Sequence, residues 1–162
     1  EEYLAEQTSI SEDPSKNWVD EKNISDALTT TEKALTTQLL AIPEDAEDYH
    51  YQLMVAAFNI LYVLWKALAF LAAELRVGDV FKDVPKEIAK LDTWDHYVAP
   101  SWNEYLQLLA KMPLSLDVDI SQTDEVVKEL AKHLQEWALR LGFDFHDTSD
   151  GQGWFQQVAP QL

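Results

Sequence analysis

One stretch constrains the fold of this chain more than any other: nearly every residue from Leu53 to Ala73 is apolar. Acidic residues crowd the positions just before it, where the positive end of a helix dipole favours negative side chains. The pattern therefore predicts one continuous helix from about Asp45 to Leu75. At about 1.5 Å per residue such a helix is long enough to be the axis of the domain, and shorter helices have to cover it.

The same run is also long enough to cross a lipid bilayer, so a membrane-spanning helix is the first alternative. Its polar residues Gln52, Asn59 and Lys66 fall seven positions apart, on one stripe that also contains Ala73. In a bilayer both Asn59 and Lys66 would lie in hydrocarbon, which is costly. We therefore expect a buried helix packed on about three sides, with this stripe as its exposed or half-exposed edge and no membrane span.

The amino-acid composition restricts the classes of function that this chain can have. The 162 residues include 29 acidic and 12 basic side chains, which gives a formal net charge of −17. Such a charge repels nucleic acid and anionic membranes, so direct nucleic-acid binding is not expected. The absence of cysteine excludes disulfides, thiolate catalysis and cysteine-ligated metal sites. With 47% hydrophobic residues, a chain of this length is expected to fold as one soluble domain.

The compartment and the oligomeric state do not follow from the sequence. The chain begins at Glu1 rather than at a methionine, and no signal peptide is visible in it. A cytoplasmic protein and a protein secreted after removal of a leader both fit this pattern.

Apolar residues recur at helical spacing in several other segments. The predicted helices are a first one from Ile24 to Ala41 capped by Asn23, a short two-turn one after Pro85, a third from Ser101 to Met112 that opens with a Ser101–Glu104 capping box, and a last one from a cap at Ser121 or Thr123 to Leu141. The predicted fold class is all-α, an irregular bundle of four to five helices packed around the long apolar helix.

The remaining segments divide the chain into three parts. Residues 1–22 have no steady period and are predicted to form an extended arm, followed by the helical bundle over residues 23–142. Residues 143–162 are predicted to form a tail that packs back on the bundle, with at most a short helix from Trp154 to Val158. The alternation of apolar and polar residues from Leu114 to Ile120 predicts an extended connector.

Two arrangements resemble metal sites, but both fail on spacing. Glu47 and His50 form one Glu-x-x-His pair, whereas a di-iron bundle needs a second one. His133 has acidic residues on both sides at helical spacing, which is typical of a solvated face with ordinary ion pairs. The acidic stretch Asp144–Gly151 places Gln157 where a calcium loop requires an acidic ligand. We therefore expect no metal and no cofactor.

The segment between Trp94 and Trp102 is the best candidate for a pocket. His96 lies in it near a predicted helix break, where irregular backbone often carries function. The alternative for His96 is a partly buried side chain that hydrogen-bonds a neighbouring carboxylate. The two tryptophans beside Lys66 of the long helix would line an apolar ligand pocket.

These observations favour a non-enzymatic acidic binding protein that engages a basic protein partner, as inhibitors, immunity proteins, DNA mimics and effectors do. The candidate contact residues are Glu44, Asp45, Glu47, Asp48, Trp18 and Trp154. The alternative is a small-molecule-binding bundle whose aromatic-lined pocket contains Lys66, Trp94, His96 and Trp102. Acidity that serves only solubility is a third interpretation. An enzyme is the least favoured class, because only His96 is nominated for chemistry.

Overall fold

The structure is a computed structural model, and it describes residues 21–43, 45, 47–78, 80–113, 120–147 and 153–158. Within these ranges the protein is all-α, which confirms the predicted fold class. The elements are α1 (Glu21–Lys33), a π-helical turn (Ala34–Gln38), a 3-10 turn (Leu39–Ala41), α2 (Tyr49–Leu75), β1 (Arg76–Val77), β2 (Val80–Phe81), α3 (Lys86–Ala89), α4 (Asp92–Tyr97), α5 (Ala99–Ala110), α6 (Ile120–Arg140), β3 (Phe143–Asp147) and β4 (Gly153–Gln157). Most of the predicted arm and connector lies outside the described residues.

The apolar run forms α2, which ends at Leu75 as predicted. The helix begins at Tyr49, later than expected, because the acidic residues from Asp45 to Asp48 lie in turns that precede it. Its inward face is a set of buried leucine, isoleucine and alanine side chains at helical spacing. These residues are Leu53, Ala57, Ile60, Leu61, Leu64, Leu68, Leu71, Ala72, Ala73 and Leu75.

The first predicted helix is found, but its geometry changes along its length. α1 begins by Glu21, so Asn23 lies inside the helix and the prediction of an Asn23 cap is wrong. After Lys33 the backbone continues as the π-helical turn and then as the 3-10 turn. The apolar side chains Ile24 and Leu28 are buried against α2.

Two short helices precede α5 where the sequence predicted one. α3 is a single turn that buries Ile88, and α4 follows it directly. α5 begins at Ala99, so the predicted Ser101–Glu104 capping box is wrong. Ser101 is buried inside the first turn, and its carbonyl oxygen faces a histidine of α6.

The C-terminal segment corrects the prediction most clearly. Instead of a short helix at Trp154–Val158, β3 and β4 form an antiparallel hairpin in which Phe145 pairs with Phe155. The hairpin packs against α6 and against the first turns of α2. Gly142 has a φ of 95° and separates α6 from β3, so the predicted helix stop is confirmed. The predicted caps Ser121 and Thr123 lie inside α6, which already includes Ile120.

One buried cation ties the end of α2 to the end of α5. Arg76 is 7% exposed, and its guanidinium donates to the carbonyl oxygens of Leu109 (3.0 Å) and Ala110 (3.1 Å). It also donates to the carbonyl of Gly78 at 3.0 Å, and Gly78 takes the positive φ of 62° that the β1–β2 turn requires. A positive charge at the C-terminal end of α5 is favourable for the helix dipole.

Candidate functional site

The outward face of α2 carries a stripe of exposed large apolar side chains. Tyr51 is 65% exposed, Val55 37%, Phe58 58% and Tyr62 45%. These residues follow one another at intervals of four, three and four, so they lie on one side of the helix. We call these four residues the α2 stripe; at about 1.5 Å per residue it is about 17 Å long. The prediction that α2 is packed on about three sides is therefore wrong over its first half.

An acidic turn lies next to the α2 stripe. Asp45, Glu47 and Asp48 are all exposed in the turns that lead into α2, within two turns of helix from Tyr51. Asp48 occupies the N-cap position, but its side chain makes no capping hydrogen bond there. These three predicted partner-binding residues therefore present their carboxylates to solvent beside exposed aromatic rings. Glu44 and Trp18 lie outside the described residues.

The strand that contains Trp154 lies at the same end of α2. β4 packs on the first turns of the helix, and both elements line a cavity of about 760 Å³ beside their contact. The cavity is lined by Tyr49, His50, Leu53 and residues 155–158. The fold thus brings two of the sequence-predicted contact regions, the acidic turn and β4, to one end of the molecule. The side chain of Trp154 is outside what the structure describes.

The polar stripe predicted to be the edge of the long helix is exposed only in part. Gln52 and Asn59 are exposed and Lys66 is half-buried, but Ala73 is fully buried. The Lys66 ammonium lies 5.7 Å from the ring centre of Tyr62 and 6.0 Å from that of Phe70. Its stem therefore covers apolar surface at the C-terminal end of the α2 stripe.

Lys66→Met is expected to be tolerated, with a change of less than about 1 kcal/mol in the free energy of unfolding. Methionine keeps the apolar stem and loses a cation–π contact that is worth about 0.5–1 kcal/mol at a partly exposed site. The urea midpoints of the two proteins measure the difference. A loss of several kcal/mol would instead identify Lys66 as a structural ion-pair residue.

The structure does not assemble the pocket predicted from Lys66, Trp94, His96 and Trp102. Trp94 and Trp102 are 4% and 5% exposed and pack edge to face with ring centres 5.2 Å apart, so they belong to the core. His96 is exposed instead of partly buried, and it contacts the ring of Tyr97. His96 does line a cavity of about 260 Å³, but with residues outside the predicted set, including Tyr97 and Arg140. Burial raises the pKa of Tyr97, and nearby Glu32 raises it further.

His133 is buried, which corrects its assignment to a solvated face. It is 2% exposed and packs between the rings of Tyr105 and Trp137. Its Nε2 lies 3.2 Å from the carbonyl oxygen of Ser101, so this nitrogen carries the proton and donates. Its Nδ1 lies 3.4 Å from a carboxylate oxygen of Glu104, without hydrogen-bond geometry. The imidazole therefore links α6 to α5.

Of the two metal arrangements considered from the sequence, only the Glu47–His50 pair lies within the described residues, since the stretch Asp144–Gly151 extends beyond them. Among the described residues no group of three or more histidine, aspartate or glutamate side chains is placed to hold a metal ion. His50 lies beside the ring of Tyr49 at the start of α2.

α2 is long and apolar enough to cross a membrane, a property that the core helix of a soluble protein can also have. In its most apolar stretch of 18 residues, 33% are buried within the protein. Within the part of the chain that the structure describes, it is the single helix with this property.

Comparison with protein-family models, with curated proteins and with solved structures found no match to this chain. Any functional assignment therefore rests on its own residues.

The α2 stripe was not predicted from the sequence. Its spacing of four and three was present in the apolar run, but apolar residues surround it on both sides, so no contrast with polar residues marked it. The enrichment of Tyr and Phe at these positions was the available indication, since aromatic residues are common anchors at protein interfaces.

Proposed function

We propose that this protein is a non-enzymatic binding protein whose α2 stripe receives an amphipathic, positively charged helix of a protein partner. The observation that carries the proposal is a row of three exposed aromatic side chains and one valine on α2, with an acidic turn immediately before this helix. Exposed apolar patches rimmed by polar residues are typical of interaction surfaces.

The spacing of the stripe supports a helix as the occupant. Side chains at alternating intervals of four and three form the seam by which two helices pack with knobs in holes. Trp65 extends the same series by one interval and is half-buried. A partner helix with apolar residues at matching intervals would cover Tyr51, Val55, Phe58 and Tyr62 together.

The charge supports a basic partner. Asp45, Glu47 and Asp48 lie at one end of the stripe, and the whole chain has a formal net charge of −17. A positively charged partner would associate faster with this negatively charged surface, and negatively charged proteins would be repelled from it. The same charge disfavours a second copy of this chain as the occupant, because two strongly negative surfaces would meet.

The test uses a synthetic peptide of about three heptads with leucine at the a and d positions and lysine elsewhere. We expect saturable binding in isothermal titration calorimetry at low salt, weakened at about 1 M salt, where the charges are screened. Phe58→Ser is expected to weaken binding at least tenfold, because a central aromatic anchor contributes about 2 kcal/mol or more. Neutralising Asp45, Glu47 and Asp48 as amides is expected to weaken it several-fold at low salt.

Matched controls make the result specific. Val127 on α6 is 45% exposed, so Val127→Ser removes an exposed apolar side chain away from the stripe and should leave binding unchanged. A peptide with glutamate in place of lysine should not bind. Equal binding of the two peptides, or no effect of Phe58→Ser, would contradict the proposal. Self-association abolished by Phe58→Ser would identify a second copy as the occupant, and binding to neutral lipid vesicles would identify a membrane.

A further inference from the structure

A cavity of about 360 Å³ lies between α1 and α2, to one side of the α2 stripe. It is within the roughly 300–1,000 Å³ that ligand pockets occupy, at the small end. Its lining residues come from α1, the π-helical turn that follows it and α2, and they carry no ionisable side chain. They are Thr30, Thr31, Ala34, Ala56, Asn59, Ile60 and Val63.

One polar group in this cavity is buried without a hydrogen bond. Thr31 is 2% exposed, and its hydroxyl oxygen has no hydrogen-bond partner among the described residues. A threonine inside a helix commonly donates to the carbonyl four residues earlier. Thr36 does so, with its hydroxyl 2.8 Å from the carbonyl oxygen of Glu32. An unsatisfied buried hydroxyl is costly, so the exception at Thr31 calls for a partner.

The backbone next to Thr31 is also unusual. Ala34 lines the cavity and opens the π-helical turn Ala34–Gln38. The following amide, that of Leu39, donates to the Ala34 carbonyl, five residues back. Such turns are rare and occur frequently at functional sites. The widened turn and the small alanine side chain leave open space beside Thr31.

The lining determines the chemistry of a ligand. The chain has 25% charged residues, but this cavity is lined by alkyl groups, two hydroxyls and one amide. An ion in the cavity would lose its hydration and find no counter-ion, so binding of ions is disfavoured. We propose that this cavity binds a small, uncharged, largely apolar molecule that carries one hydroxyl or carbonyl oxygen. The Thr31 hydroxyl donates its hydrogen bond to that oxygen, while Ala56, Ile60 and Val63 contact the apolar part.

This inference is independent of the protein partner proposed above. It keeps the expectation that the bundle holds a small molecule, but it moves the site from the Trp94–Trp102 segment to the α1–α2 groove. Asn59 is exposed at the rim of the cavity, and Val63 is 47% exposed, so a ligand can enter from solvent.

The test compares two probes of nearly equal shape, toluene and p-cresol. NMR titration of the parent protein should show binding of both, with p-cresol about five- to tenfold tighter because it supplies an oxygen for Thr31. Thr31→Val has the same shape without the hydroxyl. This variant should still bind toluene and should lose the preference for p-cresol.

A second variant reports on the cavity itself. Ala56→Phe fills the space and should abolish binding of both probes, while Val127→Phe on α6 should bind them like the parent. Circular dichroism establishes that each variant is folded. No binding of either probe to the folded parent would overturn the site, and an unchanged preference in Thr31→Val would overturn the role of Thr31. Phe58→Ser should leave probe binding unchanged, which separates this site from the α2 stripe.

Discussion

Arg76→Met is expected to lower the free energy of unfolding by about 3–5 kcal/mol, since hydrogen bonds from a charged donor contribute about 1.5–3 kcal/mol each. The methionine would fill most of the volume but would remove the donors of the hydrogen bonds to Gly78, Leu109 and Ala110. The carbonyls of Leu109 and Ala110 would then lose the guanidinium that satisfies them at the end of α5. The contact between the end of α2 and the end of α5 would weaken with them.

Urea denaturation measured by circular dichroism gives the loss directly. Arg140→Met is the matched control, because Arg140 donates to the Pro100 carbonyl at 3.2 Å in an exposed position. Its removal should cost less than about 1 kcal/mol. Arg76→Lys should fall between parent and Arg76→Met, because an ammonium keeps the charge but lacks the planar fork. A change below about 1 kcal/mol in Arg76→Met would show that this linkage does not stabilise the fold.

Trp137→Ala is expected to destabilise the protein by about 3–5 kcal/mol, the usual cost of removing a fully buried tryptophan. Trp137 is 1% exposed, and its indole Nε1 donates to the carbonyl oxygen of Tyr97 at 2.8 Å. Its ring also packs edge to face with Tyr105, with centres 5.8 Å apart. The variant would therefore open a cavity and leave the end of α4 without a hydrogen-bond donor from α6.

Trp137→Phe separates the two contributions. Phenylalanine keeps most of the packing and loses the Tyr97 hydrogen bond, so we expect a smaller loss of about 1–2 kcal/mol. Val127→Ala on the same helix should change the free energy of unfolding by less than about 0.5 kcal/mol, because Val127 is exposed. The urea midpoint by far-ultraviolet circular dichroism is the suitable measurement, since it does not depend on tryptophan emission. A loss below about 1 kcal/mol for Trp137→Ala would contradict the assignment of this residue to the core.

The C-terminal hairpin shows why some elements were predicted wrongly from the sequence. Phe143, Asp144 and Phe145 alternate apolar and polar, which is the period of a half-buried strand. The segment was nevertheless predicted to be a tail with at most a short helix, because it mixes aromatic and polar residues with two glycines and a proline. Phe143 and Phe145 both contact the ring of Phe155, and this pairing across the turn is absent from any local pattern.

The two proposed sites differ in how far the sequence indicates them. The acidic residues Asp45, Glu47 and Asp48 could be identified from the sequence as candidate contacts, although they were predicted to lie in the first turn of the helix and not before it. The α2 stripe could not be identified from the sequence, because the sequence does not show whether an apolar side chain is buried or exposed. The cavity beside Thr31 depends on the distance between α1 and α2 and on the π-helical turn. Neither of these can be predicted from the residue types in the sequence.

By itself the sequence determined the all-α class, the course and end of α2, and the helix stop at Gly142. These features depend on local signals, since an apolar run or a glycine that ends a helix can be recognised within a single segment of the chain. The tertiary structure decided which face of α2 is covered, that Ala73 is buried while Phe58 is exposed, and that His133 lies between α5 and α6. It also decided that Ser101 is a helical residue and not a cap. Burial is set by the surface that neighbouring helices can cover, and that depends on how the whole chain packs.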